Sequence, residues 1–421
     1  MVFLSLALKS LKNRSFATIL TVISIALSVM LLLSVERAKR AAEQGFTQTI
    51  SKTDLIVGAR SGPLQLILYT VFNMGNATHN ISYETYETLK KHPAIEWTIP
   101  YSLGDGHRGF RVVGTTEDFF KHYHYRGQQK VKVAQGIEFK ELFDVVLGAE
   151  VARKLNYRIG DKIVVTHGVT KGEGIQDHGD KPFVVSGILA STGTPLDRAI
   201  YMQLEGMEAL HVDWQEGAAP TKDKIVPAHQ LSKEKLHVHS ITAFFVGTKS
   251  RIETLSLQRE LNTYKGEPLL AIIPGVVLSE LWQGLSFVEG VLKIISWMVI
   301  AVGFMAMLIA LTTSLNERRR EMAILRAIGA KSGQIVGLLV FESALLTLLG
   351  IVLGTALAFT LALVLGPWIE GEFGLYLAGP IFMWKELMYL GITFIGGTLI
   401  GLIPALRAQN LALKDGLSVR L

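Results

Sequence analysis

All eleven histidines of this 421-residue chain fall between His79 and His239, and their spacing suggests the first chemistry to consider. His167 and His178 bracket the segment HGVTKGEGIQDH, which also carries Glu173 and Asp177. In His237-Val238-His239 the two imidazoles share one face if the segment is extended. Neutral imidazoles and carboxylates are good zinc ligands, so His167, His178, His237 and His239 are candidate metal ligands, with zinc as the candidate ion. The sequence has no H-E-x-x-H, and histidines scattered over a polar surface account for the same residues without a metal. Both readings stay open. With no cysteine, disulfides and thiolate metal sites are excluded. Nor is there a G-x-x-x-x-G-K-[ST] loop: Gly329-Ala330-Lys331-Ser332 has these residue types in the wrong order to cradle phosphates. No catalytic residue is assigned, and ATP-Mg, if it powers this protein, is expected in a partner chain.

The elements that must hold these residues divide sharply by hydropathy. Four stretches, Phe16 to Val35, Ile294 to Leu315, Ile335 to Leu365 and Leu387 to Leu406, are long enough to cross a hydrocarbon core of about 30 Å, which takes about 20 helical residues. Only the third carries a charge, Glu342, and an ionisable group within a span points to function by default. Glu342 lies about 10 Å into that helix by helical rise, near enough to the membrane surface to bond within the bundle, and this structural reading is preferred. Gly350-x-x-x-Gly354 and Gly397-x-x-x-Gly401 suit close helix packing, within the chain or in a dimer.

The formal charge of +6 does not indicate nucleic acid. Residues 41 to 288 hold 26 Lys+Arg against 27 Asp+Glu, and the basic excess lies beside the spans, where it sets orientation. Lys9, Lys12 and Arg14 precede the first span, Arg318 to Arg320, Arg326 and Lys331 separate the second from the third, and Arg407, Lys414 and Arg420 follow the fourth. Both termini are therefore expected in the cytoplasm, with residues 41–288 outside. Arg37, Lys39 and Arg40 oppose this assignment unless the first helix continues beyond the bilayer. The apolar run is too long for an ordinary signal peptide and lacks an A-x-A site, so it is read as a retained anchor.

The expected organisation is an integral membrane α-helical protein with four transmembrane helices and a large mixed α/β extracytoplasmic domain between helices 1 and 2. Residues 1–15 are expected to form a cytoplasmic amphipathic helix, 16–40 the first span and a stalk, 41–275 the outer domain, and 276–315 a stalk and the second span. Residues 316–334 follow as a cytoplasmic helix, 335–366 as the third span, 367–386 as a short outer loop, 387–406 as the fourth span and 407–421 as a tail. Within the outer domain, strands are expected at Asp54–Val57, Phe110–Gly114, Val145–Leu147, Lys162–Thr166, Phe183–Leu189, Ala199–Met202, Ile241–Gly247 and Leu269–Ile273. Helices are expected at Tyr83–Lys91, Ala149–Leu155 and Ile252–Tyr264, a compact β-rich unit at about 144–212, and a polar mobile loop around 214–235. Asp54 to Pro63 (DLIVGARSGP) reads as a strand running into a glycine-bearing turn.

The segment Asn316-Glu317-Arg318-Arg319-Arg320-Glu321-Met322-Ala323-Ile324-Leu325-Arg326-Ala327-Ile328-Gly329-Ala330 is amphipathic, with Gly329 placed to close it. It resembles the coupling helix of the FtsX-like (MacB-type) ABC permease family, whose pattern R-R-x-E-x-x-I-L-R-A-x-G-A docks on a cytoplasmic ATPase. Leu6 to Val29 is similar to that family's N-terminal helix and first span. Val146 to Val165 with Phe183 to Leu189 is similar to its small β-unit, Phe341 to Gly354 to its third span, and Pro404 to Ala408 to its end. The resemblance implies a stand-alone permease, without a fused ATPase, that transmits ATP-driven motion to an outer domain handling a lipoprotein, lipid, peptide or similar cargo. It places ATPase coupling on Glu317, Arg318, Arg319, Glu321, Leu325, Arg326 and Gly329. Implied partners are a cytoplasmic ABC ATPase, a second permease in a homodimer or heterodimer, a periplasmic or outer-membrane protein and membrane lipid, in a bacterial inner membrane. A membrane-anchored metal-dependent hydrolase or a signalling scaffold using the histidine-rich domain is the alternative.

Overall fold

A computed structural model describes residues 15–167, 178–214, 226–284, 286–327, 329–373 and 383–407. It divides into a membrane unit and an outer unit, the latter comprising residues 42–285 and 370–375. The expected 1–15 helix, except for Ser15, lies outside the described residues, as do Glu173, Asp177 and the tail beyond Arg407.

In chain order the helices and strands are α1 (Ser15–Thr47), β1 (Leu55–Ala59), α2 (Pro63–Thr70), β2 (Ile81–Ser82), α3 (Tyr83–Leu89), β3 (Ile95–His107), β4 (Phe110–Thr115), α4 (Asp118–His122), β5 (His124–Tyr125), β6 (Gln129–Lys130), β7 (Val133–Gly136) and β8 (Asp144–Leu147). They continue as α5 (Ala149–Leu155), β9 (Lys162–Ile163), β10 (Phe183–Leu189), β11 (Ala199–Gln203), α6 (Leu204–His211), β12 (Ser240–Ile241), β13 (Ala243–Thr248), α7 (Arg251–Asn262), β14 (Leu269–Ile272), α8 (Pro274–Gly284), α9 (Ser286–Ala327), α10 (Ser332–Phe373) and α11 (Trp384–Ile400).

The outer unit is built on a ten-stranded mixed sheet in the order β14-β1-β13-β3-β4-β11-β8-β10-β7, with β9 paired to β10. β1, β11 and β13 are buried along their whole length, because apolar clusters cover both faces of the sheet at its centre. β10 instead alternates buried with half-buried residues, the signature of a strand with one covered face. β4 and β11 run parallel, as do β8 and β10, while the other main pairs are antiparallel. The helices begin and end where local chemistry directs. Ser82 and Ser250 accept the N–H groups of Thr85 and Glu253 at the starts of α3 and α7, Pro63 opens α2, and Asn156 closes α5 in the left-handed region at φ 56°. Asp54 accepts the Thr248 N–H and hydroxyl, so the DLIVGARSGP segment is a structural strand-to-helix turn.

Most of the expected strands are present, but that expected at Lys162–Thr166 is cut to Lys162–Ile163, that expected at Ile241–Gly247 is divided between β12 and β13 in separate sheets, and β3, at thirteen residues the longest among the described residues, was not expected. Pro100, Gly104 and Gly106 interrupt its β-propensity, and it survives because it is paired on both sides, to β13 and β4. His237 and His239 do not lie on a strand as expected: both precede β12 and are exposed. In the loop region around 214–235 the described part forms short 3-10 turns at Ala228–Gln230 and Lys233–Lys235.

The membrane unit contains four helical stretches long and apolar enough to span: Ser15–Thr47, Gly290–Thr313, Ser332–Ile369 and Trp384–Arg407. The stalk expected from 276 is helical on both sides of Leu285, which lies outside the described residues, over Pro274–Gly284 and Ser286–Ala327. Two boundaries differ from expectation. Of the expected helix at 316–334, residues 316–327 continue α9, the helix that contains the second span, Gly329 at φ +95° interrupts it, and residues 332–334 begin α10. The third helix runs past 366 to Phe373 with Pro367 inside it, so the outer loop expected from 367 begins as helix.

Candidate metal centre

An antiparallel bridge between Gly106 and Thr166 brings the segment ending at His167 alongside the end of β3. Thr166 and Gly106 exchange backbone hydrogen bonds of 2.8 and 2.9 Å. Just before this bridge the β3–β4 register shifts between Leu103 and Gly106, and such irregularities re-aim side chains. Asp105 sits within that shift and is 3% exposed. The chain returns at His178, whose N–H donates to the Val165 carbonyl, and His211 ends α6.

These four residues converge. His167 Nδ1 stands 3.2 Å from Asp105 Oδ1, and His211 Nε2 stands 3.4 Å from both Asp105 Oδ2 and His167 Nδ1. His178 Nε2 is 4.0 Å from Asp105 Oδ2, and each residue offers a ligand atom within 4.8 Å of the others. Trp214 covers the group, its ring 4.9 to 5.7 Å from the three imidazoles and stacked on His167. His178 is 1% exposed, whereas His167 and His211 reach solvent.

The surroundings set protonation and orientation. His211 Nδ1 lies 3.2 Å from the Met207 carbonyl, which can only accept, so in the neutral ring Nε2 carries the lone pair that faces Asp105. Burial, reinforced by the neighbouring His211, pushes His178 down to about 4, so its imidazole is neutral near pH 7. Burial raises the Asp105 carboxyl, opposed by His211 and His167. Asp105 Oδ2 and His178 Nε2 are both buried without a hydrogen-bond partner. Behind the cluster Lys181 Nζ, fully buried, donates to Asp213 Oδ1 at 2.7 Å, and Asp213 Oδ2 accepts the Val226 N–H. Burial alone would raise the Asp213 carboxyl, but these bonds and the Lys181 charge hold it below its ordinary value. The pair ties the backbone after His178 to that after His211.

Of the four histidines expected as ligands, the structure brings together His167 and His178 and leaves His237 and His239 outside the cluster. The sequence reading missed Asp105, His211 and Trp214. The available signals were slight: a carboxylate between two glycines, and one histidine among eleven followed by a tryptophan.

In the membrane unit the glycine pairs lie against helices of the same chain. A Cβ on Gly350 would stand 2.5 Å from Ile25 Cγ2, and one on Gly354 2.5 Å from the Ala26 carbonyl oxygen. For Gly397 and Gly401 the neighbours are Thr347 at 2.4 Å and the Ser343 hydroxyl. Glu342 is buried at 4% exposure. Glu317, Arg318, Arg319, Glu321, Leu325 and Arg326 all lie on α9. Arg37 and Arg40, the charges that opposed the expected orientation, face Glu386 at the start of α11, at 3.5 and 2.8 Å.

Comparison with known proteins adds an independent line. The family model described as MacB-like periplasmic core domain matches residues 18–233, and that described as FtsX-like permease C-terminal matches residues 293–413. An uncharacterized ABC transporter permease of Methanocaldococcus jannaschii is 21% identical over 424 residues, covering 96% of this chain and 94% of that protein. The macrolide export ATP-binding/permease protein MacB of Chromobacterium violaceum is 27% identical over 136 residues, 32% of this chain; the match spans 20% of the length of that relative. Among solved structures, the periplasmic region of MacB from Actinobacillus actinomycetemcomitans aligns at TM-score 0.33 and 14% identity, over 55% of this chain and 94% of that one. The extracellular domain of the transporter YknZ from Gram-positive bacteria aligns at TM-score 0.31 and 14% identity, over 52% and 99%.

Proposed function

This chain belongs to the FtsX-like, MacB-type ABC transporter permease family, and on that premise we propose that it transmits ATP-driven motion from cytoplasmic ATPases to its outer domain. The observation that carries this reading is α9, which holds the second span and the amphipathic segment 316–327 in one helix. A helix moves as a unit, so displacement at its basic end reaches the span without a flexible joint. In this proposal Glu317, Arg318, Arg319, Glu321, Leu325 and Arg326, closed by Gly329, dock on the ATPase, which holds ATP-Mg. The complex sits in the cytoplasmic membrane with both termini inside, two permease chains pair, and the outer domain acts on a lipoprotein, lipid, peptide or similar amphiphilic cargo, with a periplasmic or outer-membrane partner.

The test is to purify the chain with the ATPase that accompanies it, reconstitute the complex in lipid and measure ATP hydrolysis. Arg326→Glu is expected to reduce the rate of the complex to that of the isolated ATPase. The proposal is wrong if no ATPase co-purifies, or if Arg326→Glu leaves both assembly and rate unchanged. A metal-dependent hydrolase needs a coordination position open to water, usually with three protein ligands. The outer domain instead gathers four protein donors, which favours the permease reading.

A further inference from the structure

We infer that Asp105, His167, His178 and His211 form a closed, non-catalytic binding site for one zinc-class divalent ion in the outer domain, with Trp214 as its lid. Donors around a tetrahedral ion with bonds of about 2.0–2.1 Å stand about 3.3–3.4 Å apart. His211 Nε2 stands at that spacing from both His167 Nδ1 and Asp105 Oδ2, at 3.4 Å each, while His167 Nδ1 is 3.2 Å from the other carboxylate oxygen, Oδ1, and His178 Nε2 is 4.0 Å from Oδ2. All four residues thus offer a ligand atom within 4.8 Å of the others, and a modest contraction brings them around one ion.

A second observation points the same way. Two buried polar atoms, Asp105 Oδ2 and His178 Nε2, face one another without a hydrogen bond. Burying unsatisfied polar atoms is costly, and a cation between them relieves both at once. Three imidazoles and one carboxylate, with no sulfur available, suit a borderline ion such as Zn²⁺ over hard Mg²⁺, which prefers oxygen donors and keeps its waters. His211 is already oriented by the Met207 carbonyl, the kind of outer bond that metal-ligating histidines make. The ion would clamp β3, the strand-like segment before His167, the turn at His178 and the end of α6, and so brace the outer domain. This reading does not depend on the transport proposal.

The experiment uses the full-length chain in detergent, purified without a polyhistidine tag and stripped with a chelator. Zn²⁺ and Co²⁺ are titrated with a competing chromophoric chelator, and Trp214 emission and the visible Co²⁺ bands are recorded. One ion per chain is expected, with tetrahedral Co²⁺ bands, a change in emission, and no comparable binding of Mg²⁺ at the same concentration. His178→Ala and His211→Ala should each weaken Zn²⁺ binding at least a hundredfold, while His237→Ala with His239→Ala leaves it unchanged. X-ray absorption on the zinc-loaded wild type, independent of any variant's folding, should show three imidazoles and one oxygen donor. The inference is overturned if binding is absent or only weak and multivalent, if Mg²⁺ binds equally well, if the His237/His239 variant loses the ion, or if the absorption shell is mostly water.

Discussion

Glu386→Gln is the most exacting test of the membrane unit. The carboxylate is fully buried, with Oε1 at 2.8 Å from Arg40 Nη2 and 3.5 Å from Arg37 Nε, and Oε2 accepting the Met383 N–H at 3.3 Å. Both guanidiniums are themselves largely buried, and that of Arg37 also lies 4.0 Å above the Phe359 ring. The amide preserves shape and some hydrogen bonding but removes a charge that faces both arginines. At an effective dielectric of about 20, unit charges 4 Å apart attract by about 4 kcal/mol, and two such attractions are lost. Part of that loss is returned, because an amide costs less to bury than a carboxylate. Deleting one partner of a buried pair typically costs about 3–5 kcal/mol, a factor of about 10² to 10⁴ in the folding equilibrium. The assay is unfolding in mixed SDS micelles followed by tryptophan fluorescence, with the exposed neighbour Lys385→Gln as control. Glu386→Met should be at least as damaging, whereas Arg37→Met, Arg40→Met and Glu386→Met combined should recover part of the stability, since both ends of the Arg40–Glu386 and Arg37–Glu386 pairs are removed together. If Glu386→Gln stays within about 0.5 kcal/mol of wild type, as a surface substitution would, the triad does not hold these helices together. Failure of the triple variant to recover would equally refute the electrostatic reasoning.

Three further outcomes are expected. Along α11, Gly391→Ala should be neutral or stabilising by about 0.5–1 kcal/mol, because nothing lies near its added methyl, while Gly397→Ala should cost about 1–3 kcal/mol against Thr347; thermal melting in detergent compares them. Lys181→Met should destabilise the outer domain by about 3–5 kcal/mol by leaving Asp213 buried and unpaired, and adding Asp213→Leu should restore much of it, as amide exchange in the β10–β11 region would report. Gly136→Ala should abolish accumulation of folded protein, since its φ is +77° and the methyl would stand 2.1 Å from the Ser186 carbonyl oxygen; protease resistance in membranes reads this.

How much was legible depended on the range of the interaction. The four spans could be read from composition, because hydrocarbon leaves a backbone no partner but itself and so demands about 20 consecutive apolar helical residues. The β-rich unit was equally plain: Val145–Leu147, Phe183–Leu189 and Ala199–Met202 are runs of strand formers bounded by turns, and local propensity agrees with their tertiary place. β3 was not legible, since its proline and glycines argue against a strand and only pairing with β13 and β4 overrides them. The second span's end, expected at Leu315, agrees with Thr313, but the helix continuing past it to Ala327 was not legible, because a charged amphipathic segment reads as a separate element.

Residue types alone therefore determined that this is a four-span membrane protein with a mixed α/β outer domain, and that histidines belong to that domain. Hydropathy and strand propensity act over a few residues, so one stretch of chain is enough to reveal them. Which charges and which imidazoles meet was decided by the tertiary structure alone. Arg40 and Glu386 are 346 residues apart, and their pairing explains the basic cluster that seemed misplaced. Asp105 and His211 join His167 and His178 only because a β-bridge, a register shift and the end of α6 bring their atoms within 4.8 Å. Contacts of that kind depend on how distant segments are folded together, and no local pattern of residues encodes them.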